Sequence, residues 1–357
     1  MTLKNHQYGK ANQRQTWKTG FVFFLQKGQF IMSTIENQLN QMQVIYQTIP
    51  KPIKEYTIHT GSKWRKVYDP VPELKTILKD LNQIVTDYYQ EKLKALNLTD
   101  NAQAYLPEKS IKTNANQHKN SPVLIKFDFS GFYDSVKLDY FLPDLEDLAD
   151  RPLTEDDRKV LTHCLINPKT GGLTQGLPVS GALAGLSLIP FWQTLKAQLP
   201  ENIHFTQYSD DLTLSLKQAK RPEDYPIEFD VPVLEAMIQG ALANNHLEFK
   251  INEKKTTVQK RQYRKVTGVT LNHNNQLTIK RKDYRWLRAF LHRLRQSNDL
   301  DQTLKQFKLR SKQSLTGKVS HMRQLDESGK INRLLNQYAP TLLNHQLFTA
   351  WLKTSIF

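Results

Sequence analysis

The hydrophobic pattern along this chain changes period several times, and each change marks an element. Val123-Leu124-Ile125-Lys126-Phe127 sets Val123, Ile125 and Phe127 on one face and Leu124, Lys126 and Asp128 on the other. That is the two-residue period of a strand, here ending on an acid. Phe205 to Tyr208 and Leu212 to Leu214 read as two more short strands, with Asp210-Asp211 at the tip between them. Tyr56 to Ile58 and Lys63 to Tyr68 flank a Gly-Ser turn and predict a hairpin ended by Pro70 and Pro72. Leu247 to Ile251 and Lys265 to Leu271 predict two further strands. Helical spacing governs Glu73 to Leu96, where Leu74, Ile77, Leu78 and Leu81 recur, and also Leu138 to Asp150, Thr154 to Leu165 and Val231 to Asn245. Ala182 to Leu195 is an apolar helical stretch with Pro190 as an expected kink. Ser33 is placed to cap a helix, Ser110 to Asn120 reads as a polar loop, and Leu315 to Phe357 as short helices. This order predicts an α+β fold, an antiparallel sheet with helices on one face.

The strand ends carry the first chemical clue. Two adjacent carboxylates at a tight turn repel each other unless a cation neutralises them. Alone, Asp210-Asp211 is a solvated turn; a third carboxylate, Asp128, at another strand end changes its meaning. Three such groups can hold a pair of Mg2+ ions, which favour carboxylate and phosphate oxygens. Two ions about 3.5–4 Å apart clamp the attacking and leaving oxygens of a phosphoryl transfer.

Charge supplies the partner. The chain has 50 Lys and Arg against 34 Asp and Glu, a net of +16, which suits a polyanion. Its most basic tract, Lys280 to Lys312, places Leu287, Phe290, Leu291 and Leu294 on one helical face. Arg285, Arg288, His292 and Arg295 share another face, suited to a nucleic-acid backbone. The single cysteine, Cys164, excludes an internal disulfide framework and fits a reducing cytoplasm. Phe21 to Leu25 is too short to span a bilayer, so no membrane partner is expected. Gln175-Gly176-Leu177-Pro178 precedes a helix and offers free backbone N–H groups to phosphate or base edges. In a polymerase reading the basic hairpin would be a finger meeting triphosphate or template, with Arg65 the best candidate, and the Tyr133 ring, five residues after Asp128, would lie under the sugar of an incoming nucleotide.

The ordered set Asp128 with Phe132-Tyr133, Gln175-Gly176-Leu177-Pro178, Tyr208-Ser209-Asp210-Asp211 and Lys254-Lys255-Thr256 resembles the palm of reverse transcriptases. Asn114-Ala115-Asn116-Gln117-His118 and Val266-Thr267-Gly268 are similar to elements of bacterial retron reverse transcriptases. The resemblance runs from about Tyr56 to Tyr338. It implies a right-hand polymerase: fingers over 41–122, palm over 123–279 with a finger insertion around 150–180, and a basic helical thumb over 280–357. Residues 1–40 would be an N-terminal extension, disordered or upstream of a natural start at Met32. The resemblance further implies that Asp128, Asp210, Asp211 and the Phe129 carbonyl hold two Mg2+ ions, with Mn2+ as a substitute. Tyr133 would gate the sugar of dNTPs, Gln175 and Gly176 would meet nucleotide and template, and Lys255 would protonate pyrophosphate. Asn114, His118 and Val266-Thr267-Gly268 would contact a cognate structured non-coding RNA, and the Arg285–Arg295 face would grip the duplex. The implied product is DNA branched from an RNA 2′-hydroxyl (msDNA), made in the bacterial cytoplasm for antiphage defence with a separate effector protein. The family pattern has Pro and Asn where this chain has Gly181 and Gly185, which implies a more flexible loop lacking a side chain near the nucleotide. An untemplated or protein-primed defence polymerase and a silent RNA-binding scaffold are the alternatives.

Overall fold

In chain order, the elements are α1 (Leu25–Thr48), β1 (Ile53–Thr60), β2 (Lys63–Pro70), α2 (Pro72–Ala95), α3 (Ile111–Gln117), β3 (Val123–Ser130), α4 (Phe132–Ser135), α5 (Leu138–Ala149) and α6 (Glu155–Leu165). Then follow α7 (Ser180–Ser187), α8 (Ile189–Gln198), β4 (Ile203–Tyr208), β5 (Asp211–Leu216), α9 (Val231–Asn244), β6 (Lys250–Ile251), β7 (Thr257–Lys260), β8 (Arg264–Val266), β9 (Val269–Leu271) and β10 (Leu277–Thr278). The chain closes with α10 (Arg281–Ser297), α11 (Leu300–Gln306), α12 (Lys312–Leu325), α13 (Lys330–Gln337) and α14 (Ala339–Asn344). The computed structural model describes residues 25–60, 63–217, 225–260 and 264–348. Two units emerge: the described residues up to Ala95 with Gly131–Ile189, and Leu96–Ser130 with the described residues from Pro190 onward.

The second unit is built on the predicted antiparallel sheet, ordered β4-β5-β3-β6 with β7 also pairing β3. β3 is buried on both faces: Val123, Ile125 and Phe127 on one, and Leu124 and Asp128 on the other, with Lys126 half-buried. A separate three-stranded sheet, β10-β9-β8, follows it. Lys265 to Leu271, expected as one strand, is a hairpin instead. Thr267 (φ +46°) and Gly268 (φ +87°) turn the chain so that Val266 pairs with Val269. Leu247 to Ile251 is also shorter than expected, because only Lys250 and Ile251 find a partner edge, at Ser130 and Phe129. The polar segment at Ser110 to Asn120 is not a loop. Ser110 and Thr113 form a reciprocal capping box that starts α3, and burial of Asn114 and Ala115 holds the helix despite weak propensity. Beyond the sheets, Leu287, Phe290, Leu291 and Leu294 of α10 join Leu315, Val319, Leu334 and Leu342 in one helical core. Arg285, Arg288, His292 and Arg295 stay exposed, as the helical spacing requires.

The first unit is mainly helical. Ser33 does not begin α1, which already runs from Leu25, and Ile35, Leu39, Met42 and Ile45 bury one side of it. The latter part of the expected 1–40 extension is therefore packed helix, while residues 1–24 lie outside the described residues. The apolar helix at Ala182 to Leu195 is not kinked but broken. α7 ends at Ser187, and Pro190 stands in the first turn of α8, where a missing N–H costs nothing. Gly181 and Gly185 lie inside buried α7 rather than in a flexible loop. A Cβ at Gly185 would stand 2.5 Å from the Tyr89 Oη, so the Tyr89 ring fills the space that a side chain here would take. Among the described residues, no helix is long and apolar enough to cross a membrane.

Candidate active site

Register brings the acids together. In the β3–β5 ladder Asp128 pairs directly with Asp211, and in the β4–β5 hairpin Tyr208 pairs with Asp211, leaving Ser209-Asp210 as a two-residue turn. Ser209 adopts φ +58°, and the Asp210 carbonyl accepts the Phe129 N–H at 2.9 Å, which staples the tip to β3. Asp128, Asp210 and Asp211 therefore cluster at one end of the sheet. Burial, then the charges of Asp128 and Asp211, hold the Asp210 carboxyl above its ordinary range.

Two lysines answer this negative charge. Lys255 Nζ lies 2.9 Å from each Asp128 carboxylate oxygen, and Lys126 Nζ lies 3.4 Å from Asp211 Oδ1. The hydrogen bond to Asp128 raises the Lys255 pKa, so it is a charged ammonium at neutral pH. Its position follows from backbone anchoring: Asn252 donates its N–H to the Asp128 carbonyl at 2.7 Å, and residues 253–255 form a 3-10 turn directly after it. The sequence signals Lys126 only by its place on the Asp128 face of β3, and its pairing with Asp211 depends on the β3–β5 register. Among the described residues, no three His, Cys, Asp or Glu side chains form a ready-made metal cage. The donor set nevertheless fits hard divalent ions, because Mg2+ is commonly held by one or two carboxylates completed by substrate phosphates. The Lys255 ammonium on Asp128 marks where positive charge is accepted.

The remaining site residues fall elsewhere. Tyr133 on α4 is half-buried with its ring edge-on to Phe132, while Gln175 and Gly176 are exposed at a turn where Gly176 has φ +94°. Arg65 pairs with Ile58 in the β1–β2 register, and the expected contact of its side chain lies outside what the structure describes. These four belong to the first unit and the carboxylates to the second.

Asn114 and His118 require a correction. Both are buried, as is Val266, so their side chains do not reach an RNA surface. They form a polar chain instead. Asn114 Nδ2 donates to Thr267 Oγ1 at 2.6 Å, Thr206 Oγ1 donates to Asn114 Oδ1 at 2.6 Å, and His118 contacts Thr206 and Ser215, each at 2.7 Å. Because the Thr206 hydroxyl proton goes to Asn114, His118 Nε2 must donate to Thr206, and Ser215 must donate to Nδ1. The network ties α3 and the β8–β9 turn to the two strands that carry the acidic tip. Burial holds the His118 pKa well below the usual imidazole value, so the ring is neutral. His118→Ala should cost on the order of 3 kcal/mol in chemical denaturation, since the buried hydroxyls of Thr206 and Ser215 both lose their ring partner. A lowered folded pKa means that this stability is present above the ordinary imidazole range and is lost as pH falls through it. Weaker RNA binding at unchanged stability would restore the RNA-contact role.

The chain is similar to several known proteins. A family model described as "Reverse transcriptase (RNA-dependent DNA polymerase)" matches residues 49–271. The retron Mx65 reverse transcriptase of Myxococcus xanthus is 31% identical over 227 residues, 58% of this chain and 49% of that protein. The retron Ec83 reverse transcriptase of Escherichia coli is 23% identical over 277 residues, 74% of this chain and 83% of that one. The chain thus spans about half the length of the Mx65 enzyme. A telomerase structure from Candida albicans aligns with a TM-score of 0.45 at 10% identity, covering 87% of this chain and 66% of that one. The family match includes all three carboxylates and covers more than half of the chain, which belongs to the reverse transcriptase family.

Proposed function

We propose that this chain is a retron RNA-directed DNA polymerase. It would extend DNA from a 2′-hydroxyl of a cognate structured non-coding RNA and make a branched RNA–DNA hybrid. The observation that carries this reading is the pairing of Asp128 with Asp211 beside the Asp210 tip, with Lys255 seated on Asp128. In this role Asp128, Asp210 and Asp211 would hold two Mg2+ ions, with the Phe129 carbonyl as a further ligand. When bound, the ions stabilise charge on the attacking and leaving oxygens. Lys255 then meets the leaving pyrophosphate as a proton donor, since its ammonium carries the proton and sits on the same carboxylate.

Gln175 and Gly176 present backbone and amide groups to nucleotide and template, Arg65 meets the triphosphate, and Tyr133 excludes a 2′-hydroxyl. Tyr133→Ala is expected to admit rNTPs, and unchanged dNTP preference in a competition assay would remove the gate. The exposed Arg285, Arg288, His292 and Arg295 face takes duplex phosphates. Antiphage defence with a separate effector protein in the cytoplasm is the setting in which this product would act. The alternative of an untemplated polymerase draws on Gly181 and Gly185, and the Tyr89 ring against Gly185 supplies a packing reason for glycine there.

The deciding experiment is purification of the chain expressed with its native flanking DNA, followed by sequencing of the bound nucleic acid. RNA joined through a 2′–5′ branch to DNA complementary to it is expected. Untemplated DNA, or RNA without DNA, would overturn the proposal.

A further inference from the structure

The turn that presents Asp210 is held from behind by a buried polar relay. Trp192 on α8 is buried, and its indole Nε1 donates to Gln207 Oε1 at 2.7 Å. Gln207, buried in β4, donates from Nε2 to the Ser209 carbonyl at 3.0 Å. The polarity of this relay has one solution. An indole N–H only donates, so it faces the amide oxygen and turns the amide nitrogen towards Ser209, whose carbonyl only accepts. The backbone of Gln207 is also fixed. Its N–H donates to the Asn101 carbonyl at 2.8 Å, and its carbonyl accepts from Gln103 at 3.0 Å. On the other side of the tip, Tyr105 donates its hydroxyl to Ser209 Oγ at 2.6 Å. Ser209 needs this support because φ +58° is an uncommon conformation for a residue with a side chain.

We infer that Gln207, oriented by Trp192, is a positioning residue that holds the Ser209-Asp210 turn in the shape that aims the Asp210 carboxylate at a divalent cation. The inference rests on the polymerase reading, but its signature is separate from it. A side chain that aims metal ligands affects how tightly the ion is held, and groups one step behind a ligand typically change metal affinity by about 10–100-fold when lost. Substrate contacts are untouched, so nucleotide affinity should not follow.

The test uses the full chain. Mg2+ and Mn2+ binding are measured by isothermal titration calorimetry for the wild type, Gln207→Leu, Gln207→Glu and Trp192→Phe, and DNA synthesis is titrated with Mg2+. Gln207→Leu should weaken ion binding and raise the half-saturating Mg2+ concentration by about tenfold. At saturating Mg2+ its KM for dNTP should match the wild type. Gln207→Glu should share the defect, because a carboxylate can accept from Trp192 but cannot donate to Ser209. Trp192→Phe keeps an aromatic ring, loses the five-membered ring with its N–H, and leaves the Gln207 donation to Ser209 in place, so it should show a smaller shift in the same direction. Adding Trp192→Phe to Gln207→Leu should cost nothing more in metal affinity, since the relay is already cut. If Gln207→Leu fails to fold, Trp192→Phe alone carries the test. Wild-type ion affinity in every folded variant overturns the inference. A wild-type protein that binds Mg2+ but makes no DNA overturns the polymerase reading and leaves the calorimetric comparison to judge the relay.

Discussion

Asp210→Asn is expected to reduce DNA synthesis by at least about 10²-fold, the scale of losing one preorganised electrostatic group at a reacting centre. The substitution keeps shape and removes charge. The backbone carbonyl of residue 210 still accepts from Phe129, so the turn should survive. Stability should hold or rise. The folded pKa of Asp210 is raised by burial and by Asp128 and Asp211. A raised carboxyl contributes stability below the ordinary carboxylate range and loses it as pH climbs through the raised value. At neutral pH the ionised group is therefore a liability that asparagine removes. Thermal unfolding of both proteins at neutral pH, beside primer extension, checks the two halves together. Full extension by the variant would remove Asp210 from the metal set, and a large loss of stability would mean that the carboxylate is structural.

The second large effect is expected at Gly172. A Cβ there would lie 2.2 Å from the Asp134 carbonyl oxygen and 2.5 Å from its Cα. Both are backbone atoms, so no rotamer change relieves the overlap, and one of two chain segments must move. The contact is braced on either side: Leu173 donates to the Val136 carbonyl at 2.9 Å, and the Gly172 carbonyl accepts from Asn167 at 2.8 Å. Gly172→Ala should destabilise by about 3 kcal/mol or more, at the upper end of overpacking effects. Because Asp134 belongs to the short helix that carries Tyr133, any folded fraction should also discriminate less well between dNTPs and rNTPs. The measurement is a denaturant midpoint followed by nucleotide competition on the soluble fraction. Wild-type stability would show that the 171–172 turn can withdraw without cost.

The strand ends and the helix faces were legible because they depend on local periods. The β3 alternation put Lys126 and Asp128 on one face whatever packed beside them. The same reasoning predicted the acidic hairpin, the buried stripe of α10 and its exposed cationic stripe. These need only a chain, a period and a partition between water and core.

Other features were decided by contacts between distant segments. Lys255 reaches Asp128 across 127 positions, and Asn114 reaches Thr267 across 153. No local pattern distinguishes a histidine that touches RNA from one that satisfies Thr206 and Ser215 inside the core. Gln207 looked like one polar residue in a short strand until Trp192 and the Ser209 carbonyl lay on either side of its amide. Gly185 read as a missing side chain until the Tyr89 ring occupied that space. Sequence alone determined which residues could carry charge at the strand ends and which faces would be buried. Only the tertiary structure decided which polar groups are partners, because a hydrogen bond needs two atoms about 3 Å apart with the right polarity, and pairing at that precision is set by register and packing.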